Sequence, residues 1–190
     1  MVPEAPLNET EHGLLAAGDG WFVLNAREAR WRHREGKAIL RFEGETDFPQ
    51  IGISLIVLEP EEPMAMYHWE VDQENFLVLS GEAVLIVEGE ERPLGQWDFV
   101  HCPAETKHVI VGAGEGPCTV LAVGAREHQT IGTRVDGTLQ WAEDWGAYTV
   151  DDAALRHGAG VDKETTDEEL AYARVPQLEP TRYRDGWLPD

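Results

Sequence analysis

The sequence predicts an all-β fold, a sandwich or barrel followed by short C-terminal helices. Short apolar runs rich in Val, Ile and aromatic residues fill positions 21–124, and Gly, Pro and Glu separate them. Such runs have the length and composition of strands. After about Asp144 the pattern becomes helical. Many short strands at this spacing indicate a sandwich or a barrel.

In chain order, the apolar runs predict strands, and Gly81 and Gly89 supply hairpin turns between them. The predicted strands are residues 21–24, 38–42, 53–58, 76–79, 83–87, 98–102, 109–111 and 119–123. We therefore expect an N-terminal extension over residues 1–20 and a barrel over residues 21–145.

Two short helices and an extended tail are predicted for residues 146–190. Residues 149–152 (TVDD) have the form of a capping box, so a helix is expected over 151–157 and ends at Gly158. A second helix begins at 166–169 (TDEE) and runs through Ala173. The prolines that follow indicate an extended tail on the barrel or on a neighbouring subunit.

The chain of 190 residues is acidic, with 15 Lys plus Arg against 36 Asp plus Glu and a net charge of −21. This balance argues against nucleic-acid and membrane partners, which need a basic face. The N-terminus has neither a basic start nor an apolar run, so a cytoplasmic location is expected. Cys102 and Cys118 are then expected to be reduced and buried.

One basic cluster stands out in this acidic chain. Two interpretations are open, because the cluster could bind an anionic ligand or could pair with surrounding acids, including across a dimer interface. The cluster consists of Arg27, Arg30, Arg32, Arg34, Lys37 and Arg41.

Histidines and carboxylates converge in the predicted strands. His68 and Glu70 are two residues apart, so they share one face of a strand. Glu74 precedes the next strand, and His108 begins a later one. Imidazole and carboxylate groups inside a small barrel are typical ligands of a divalent metal.

These residues resemble the two motifs of the cupin superfamily, in its small single-domain, cupin-2 form. His68 and Glu74 occupy two positions of the first motif, and Gly81 follows Glu74 after six intervening residues. Pro103 and His108 match the second motif. In other slots the chain departs from the pattern: Glu70 replaces the second histidine, Trp97 and Glu105 replace glycines, and Gly112 replaces the frequent asparagine.

The resemblance covers about residues 50–125. It implies a double-stranded β-helix, or jelly-roll barrel, with one divalent metal (Mn, Fe, Zn or Ni) held by His68, Glu74 and His108. It also implies a homodimer and a small-molecule ligand or substrate. Three roles stay open for Glu70: a fourth metal ligand, a side chain turned away from the metal, or the catalytic general base.

Other site residues have competing interpretations. His101 could line the pocket, or it could be a packed histidine beside Cys102. His12, His33, His128 and His157 are expected to be structural.

Two functions are compatible with these residues. The first is a metal-dependent enzyme of small-molecule metabolism, of dioxygenase or isomerase type. The alternative is a non-catalytic cupin that binds a small ligand or carries a structural metal.

Overall fold

The computed structural model describes residues 1–18, 20–127 and 145–189. These residues form antiparallel strands and two short helices. The strands are β1 Leu7–Thr10, β2 Gly13–Ala16, β3 Trp31–Arg34, β4 Lys37–Arg41, β5 Ile51–Leu58, β6 His68–Glu70, β7 Glu74–Ser80, β8 Glu82–Val87, β9 Glu90–Leu94, β10 Phe99–Cys102, β11 His108–Ala113, β12 Cys118–Ala125, β13 Gly146–Tyr148 and β14 Glu179–Thr181. The helices are α1 Asp152–Arg156 and α2 Glu168–Ala171.

Two sheets face each other as the walls of a jelly-roll barrel. One has the strand order β10-β7-β12-β5-β4-β3-β14, and the other has the order β13-β6-β11-β8-β9. Strands β1 and β2 form a separate hairpin. The predicted all-β fold with short C-terminal helices is confirmed. Residues after the predicted C-terminal limit of the barrel add strands to it, because β13 and β14 each pair with a barrel strand.

The main core lies between the two sheets. Alternate residues of each strand point inward, so β7 and β12 contribute Val78 and Val120, while β11 contributes Ile110. All three are fully buried. A second core lies on the outer face of the larger sheet, where Trp31 and Leu40 pack against Trp187 of the tail. The C-terminal tail therefore lies on the barrel, as one of the two sequence expectations had it.

Seven of the predicted strands match β4, β5, β7, β8, β10, β11 and β12, but the prediction for residues 21–24 is wrong. Trp21 makes only an isolated bridge with Glu4. Trp21 and Val23 are 52% and 78% exposed, because no strand among the described residues runs alongside this segment.

The two predicted turns differ in what they do. Glu88 and Gly89 have φ angles of 49° and 80° and join β8 to β9 as a hairpin, which confirms that prediction. Gly81 does not form a hairpin, because β7 and β8 belong to different sheets. Its φ is 78°, and a Cβ there would lie 2.4 Å from the Pro117 carbonyl oxygen. Gly81 therefore carries the chain from one sheet to the other.

Both helices form where they were predicted, but the first has a different cap. The Asp151 carboxylate accepts a hydrogen bond from the Ala154 amide, and Asp167 caps α2 in the same way. Thr149 is buried instead, and its hydroxyl has no hydrogen-bond partner among the described residues. Cys102 and Cys118 are buried free thiols, as expected.

Candidate metal centre

The two histidines of the predicted site face each other across adjacent strands. His68 on β6 and His108 on β11 are paired in register, and their ring centroids are 5.2 Å apart. The side chains are buried, with 9% and 3% of each residue exposed. Glu74 begins β7 in the opposite sheet, so the barrel itself brings the three groups together.

Backbone carbonyls orient both imidazole rings. His68 Nδ1 lies 2.7 Å from the Met66 carbonyl oxygen, and His108 Nδ1 lies 2.9 Å from that of Thr106. A carbonyl oxygen only accepts hydrogen bonds, so each Nδ1 must carry the proton and donate. In the neutral ring each Nε2 then presents a lone pair, which is the arrangement found in metal-binding histidines.

The lone pairs point at the Glu74 carboxylate. Glu74 Oε2 lies 3.1 Å from His108 Nε2 and 3.7 Å from His68 Nε2. One ligand atom from each residue lies within 4.8 Å of the other two. Glu74 Oε2 and His108 Nε2 are buried without a hydrogen-bond partner in the described structure. A carboxylate and a neutral Nε2 are both acceptors, so either a proton or a metal ion between them would satisfy both.

The electrostatics of the site also favour a cation. Burial lowers the pKa of His108, but contacts with Cys102 and Glu74 raise it by more, to about 10. Burial alone would raise the pKa of Glu74. His108 and His68 lower it by more, so the pKa of Glu74 is below its ordinary value. A proton or a dication placed here satisfies the same two groups, and a metal would compete with the proton.

Glu70 lies at the edge of this cluster. Its Oε1 is 3.5 Å from His68 Nε2. Among the described residues, the group of ligand atoms within 4.8 Å of one another contains His68, Glu74 and His108 but not Glu70. Glu70 is nevertheless part of the cavity wall beside them.

His101 lies away from the cluster. It is exposed on β10, and its Nδ1 lies 2.8 Å from Asn75 Oδ1 on the neighbouring strand. Val100 and Cys102 on the same strand point into the core, so His101 must point outward. His101 is thus absent from the cavity lining and is not packed in the core, so neither of its two interpretations is supported.

The other histidines lie elsewhere. His12 is 2.9 Å from Glu11, and His157 is 3.4 Å from Glu91. His33 stacks on Trp187 at 5.5 Å. His128 lies outside the described residues.

An aromatic wall, which the sequence did not predict, stands beside His68. Trp145 and Tyr148 lie 6.3 Å and 6.0 Å from the His68 ring, and Tyr172 packs edge-on against Tyr148. Strand β13 places this wall by pairing Tyr148 with His68. A strand of three residues is too short to show an alternation of apolar and polar residues. Its aromatic residues were therefore the only indication of this wall in the sequence.

These groups line part of a cavity of about 410 Å³. That volume lies in the range of small-molecule sites. Strands β3 and β4 supply another part of the wall, so much of the predicted basic cluster also lines the cavity. The basic lining residues are Arg32, Arg34, Lys37, Arg41 and Arg126.

Comparison with known proteins agrees with this geometry. The cupin domain family (Cupin_2) matches residues 54–124, which include all three clustered residues. No curated protein matches the chain. No helix among the described residues has the length and apolar character to cross a membrane.

Solved structures with similar folds are distant in sequence. A proposed sugar phosphate isomerase from Acidithiobacillus ferrooxidans is 27% identical, with 50% of this chain and 67% of that chain covered and a TM-score of 0.40. A sugar phosphate isomerase of the cupin superfamily from Silicibacter pomeroyi is 22% identical, with 82% of both chains covered and a TM-score of 0.45. A cupin superfamily protein from Desulfitobacterium hafniense is 20% identical, with 49% and 80% covered and a TM-score of 0.43.

The matched segment runs from β5 to β12 and contains the strands that carry His68, Glu74 and His108. Residues 54–124 of this chain therefore form a cupin domain of the cupin-2 type.

Proposed function

We propose that His68, Glu74 and His108 bind one divalent metal ion and that the adjoining cavity is the active site of a metal-dependent enzyme. The observation that carries this proposal is the convergence of three acceptor atoms within 4.8 Å in the lining of the cavity. Two imidazoles and one carboxylate suit Mn²⁺, Fe²⁺, Zn²⁺ or Ni²⁺. Three protein ligands also leave coordination positions for water or substrate.

We propose an isomerase-type reaction on a small molecule with a carbonyl group. A metal bound here would supply Lewis acidity toward that carbonyl. Glu70 is the proposed base, because its carboxylate faces the cavity beside the cluster without being one of the grouped ligands. On an α-hydroxy carbonyl compound it would take the proton from the hydroxyl-bearing carbon and return it to the former carbonyl carbon, while the hydroxyl proton passes to the former carbonyl oxygen.

The aromatic wall has a supporting role in this proposal. Trp145, Tyr148 and Tyr172 cover the side of the cavity at His68 with rings. Their apolar faces exclude water from the space beside Glu70, which keeps an abstracted proton from exchanging with solvent. The Tyr172 hydroxyl accepts a hydrogen bond from the Met66 amide at 3.1 Å, which anchors the wall to the segment before His68.

A dioxygenase reaction is the second candidate. Two histidines and one carboxylate with open positions are also the ligand set of non-haem iron oxygenases. Metal identity and oxygen consumption separate the two reaction types. An iron-loaded protein that consumes oxygen with substrate favours the dioxygenase.

Metal content is the first test. Protein purified without chelator is expected to hold one metal ion per chain by mass spectrometry of the metals. Glu74→Gln and His108→Gln are expected to lose it, while the control His101→Gln keeps it. Wild-type protein that stays metal-free during titration with Mn²⁺, Fe²⁺, Zn²⁺ and Ni²⁺ would refute the metal site.

Glu70→Gln tests the role of the proposed base. If Glu70 is the base, this variant keeps the wild-type metal content and loses the transfer of deuterium from a labelled carbon of the substrate to its neighbouring carbon. Loss of metal in Glu70→Gln instead identifies Glu70 as a fourth ligand. A metal-loaded wild-type protein that turns over none of a panel of carbonyl compounds, with or without oxygen, supports the non-catalytic alternative.

The homodimer and the cytoplasmic location stay predictions. Light scattering on the purified protein tests the first, and fractionation of the source cells tests the second.

A further inference from the structure

Cations are concentrated inside this acidic protein. The chain has 15 Lys and Arg and a net charge of −21, yet five of those cations line one cavity. Strands β3 and β4 place four of them there. In the register of these strands Arg34 lies opposite Lys37, and alternate positions share a face. Arg32, Arg34, Lys37 and Arg41 therefore face the cavity, whereas Trp31 and Leu40 pack in the outer core.

Two of the five cations are neutralised within the protein. Arg34 forms an ion pair with Glu62. Arg126 pairs with Glu43, with Nη2 and Oε2 3.1 Å apart, and donates to the Phe48 carbonyl oxygen. These two arginines fit the interpretation that the basic cluster pairs with acids.

The remaining three cations form no ion pair with another described residue. Arg32 Nη2 donates to the Leu178 carbonyl oxygen at 2.8 Å, and Lys37 donates to the Met64 carbonyl oxygen. A carbonyl dipole does not neutralise a full charge. Within the described part of the chain, Arg41 forms no ion pair or hydrogen bond, and it is exposed to solvent while lining the cavity.

Arg41 also repels the other two cations, Lys37 and Arg32. Burial lowers the pKa of Lys37 to about 8, and Arg34 and Arg41 lower it against the opposing effect of Glu62. Burial and then Arg41 lower the pKa of Arg32, while Glu179 opposes the shift. Positive charges held close together in a cavity destabilise one another, and such arrangements are common at binding sites.

The acids of the cavity do not remove this excess when a metal is bound. Apart from Glu43, which pairs with Arg126, the carboxylates in the lining are Glu70, Glu74 and Glu168. Glu70 and Glu74 lie beside the cluster, where a dication would compensate their charges. The β3–β4 side of the cavity then stays cationic.

We infer that the substrate carries a terminal oxyanion group, a phosphate or a carboxylate, which binds to Lys37 and Arg41 while the reacting end of the molecule lies at His68, Glu74 and His108. The inference rests on the proposed function for the reacting end. Lys37 offers its remaining N–H groups and Arg41 a planar fork of donors, which together match the oxygens of such an anion.

Binding of inorganic phosphate and of malonate, measured by calorimetry at low ionic strength, tests the inference. We expect at least one anion to bind wild-type protein at one site per chain. Lys37→Met and Arg41→Gln are each expected to weaken that binding tenfold or more. Arg92→Gln is the control, because it removes an exposed arginine outside the cavity, and its affinity should equal that of wild type. Which anion binds more tightly separates phosphate from carboxylate substrates.

Two results would overturn the inference. One is that neither anion binds wild-type protein, and the other is that Lys37→Met and Arg41→Gln bind as tightly as Arg92→Gln. The titration is repeated on chelator-treated protein to separate this inference from the metal proposal. Anion binding that needs the metal and ignores Lys37 and Arg41 overturns the inference alone. Anion binding that needs both cations in a protein that takes up no metal refutes the metal site alone.

Discussion

Replacing Lys37 by methionine should stabilise the folded protein at neutral pH. Lys37 begins β4, and its ammonium group donates to the Met64 carbonyl oxygen within the cavity wall. Burial lowers its pKa from 10.5 to about 8, with contributions in the same direction from Arg34 and Arg41 and against it from Glu62. The protonated Lys37 side chain is therefore less stable in the folded protein than in the unfolded chain. Methionine keeps the unbranched chain and removes the charge.

The pKa difference sets an upper limit to the gain. Each unit corresponds to about 1.4 kcal/mol, so the shift from 10.5 to about 8 corresponds to about 3 kcal/mol at neutral pH. Water in the cavity solvates part of the charge and reduces that value. The lost hydrogen bond to the Met64 carbonyl costs about 1 kcal/mol more. We expect Lys37→Met to raise the free energy of unfolding by about 1 to 2 kcal/mol.

The gain in stability from Lys37→Met should decrease as the pH rises above 8. Below pH 8 the lysine is protonated in both states, so its destabilising effect is fully present. Between pH 8 and 10.5 the unfolded chain keeps the proton that the folded protein releases, and wild-type stability rises relative to the variant. The advantage of Lys37→Met is therefore largest at neutral pH and shrinks toward pH 10.

Urea unfolding at pH 7, 8, 9 and 10 measures this difference. Lys163→Met is the matched control, because Lys163 is exposed and lies outside the cavity lining. Its difference from wild type should stay within about 0.5 kcal/mol at every pH. If Lys37→Met is less stable than wild type at pH 7, or if its advantage does not change from pH 7 to 10, the reasoning is refuted.

Two further predictions concern the backbone that supports the site. A Cβ on Gly146 would lie 2.0 Å from the Trp69 carbonyl oxygen at a φ of 145°, so Gly146→Ala should cost more than about 2 kcal/mol in thermal unfolding. Gly116→Ala meets no atom within 4 Å and should be neutral, and equal losses would contradict the strain at Gly146. Asp151→Ala should cost about 1 kcal/mol through loss of the α1 cap, whereas Thr149→Val should gain about 1 kcal/mol by removing an unpaired buried hydroxyl. Urea unfolding that ranks the two in the opposite order would show that Thr149 is the cap.

The sequence predicted the parts of the fold that depend on local pattern. Strands such as β5, β8 and β12 are continuous apolar runs, so their composition was sufficient. The three clustered side chains were also predicted, because His68, Glu74 and His108 occupy histidine and glutamate positions of the cupin motifs that the sequence resembles. The strands were thus predicted from local composition, and the cluster from the resemblance to a family.

Features that depend on pairing between distant segments were missed. The sequence around Gly81 is typical of a hairpin turn, but only the order of strands in the sheets shows that Gly81 connects two sheets. Strand β13 is three residues long and pairs with β6 across a long sequence separation, so its aromatic residues alone did not show that they form a wall beside His68. His101 and His108 are both strand histidines, and strand alternation alone decides that one points outward.

The basic cluster shows how register changes the meaning of a composition. In the sequence alone, the cations of this cluster are a minor feature of a chain with a net charge of −21. Strand alternation sends Arg32, Arg34, Lys37 and Arg41 to the cavity, while Arg27 lies over the Tyr183 ring outside it. At physiological ionic strength the Debye length is about 8 Å, so solvent screens the acidic exterior from an anion at the cavity mouth. The cations inside, in contact with the bound group, then determine whether the anion binds.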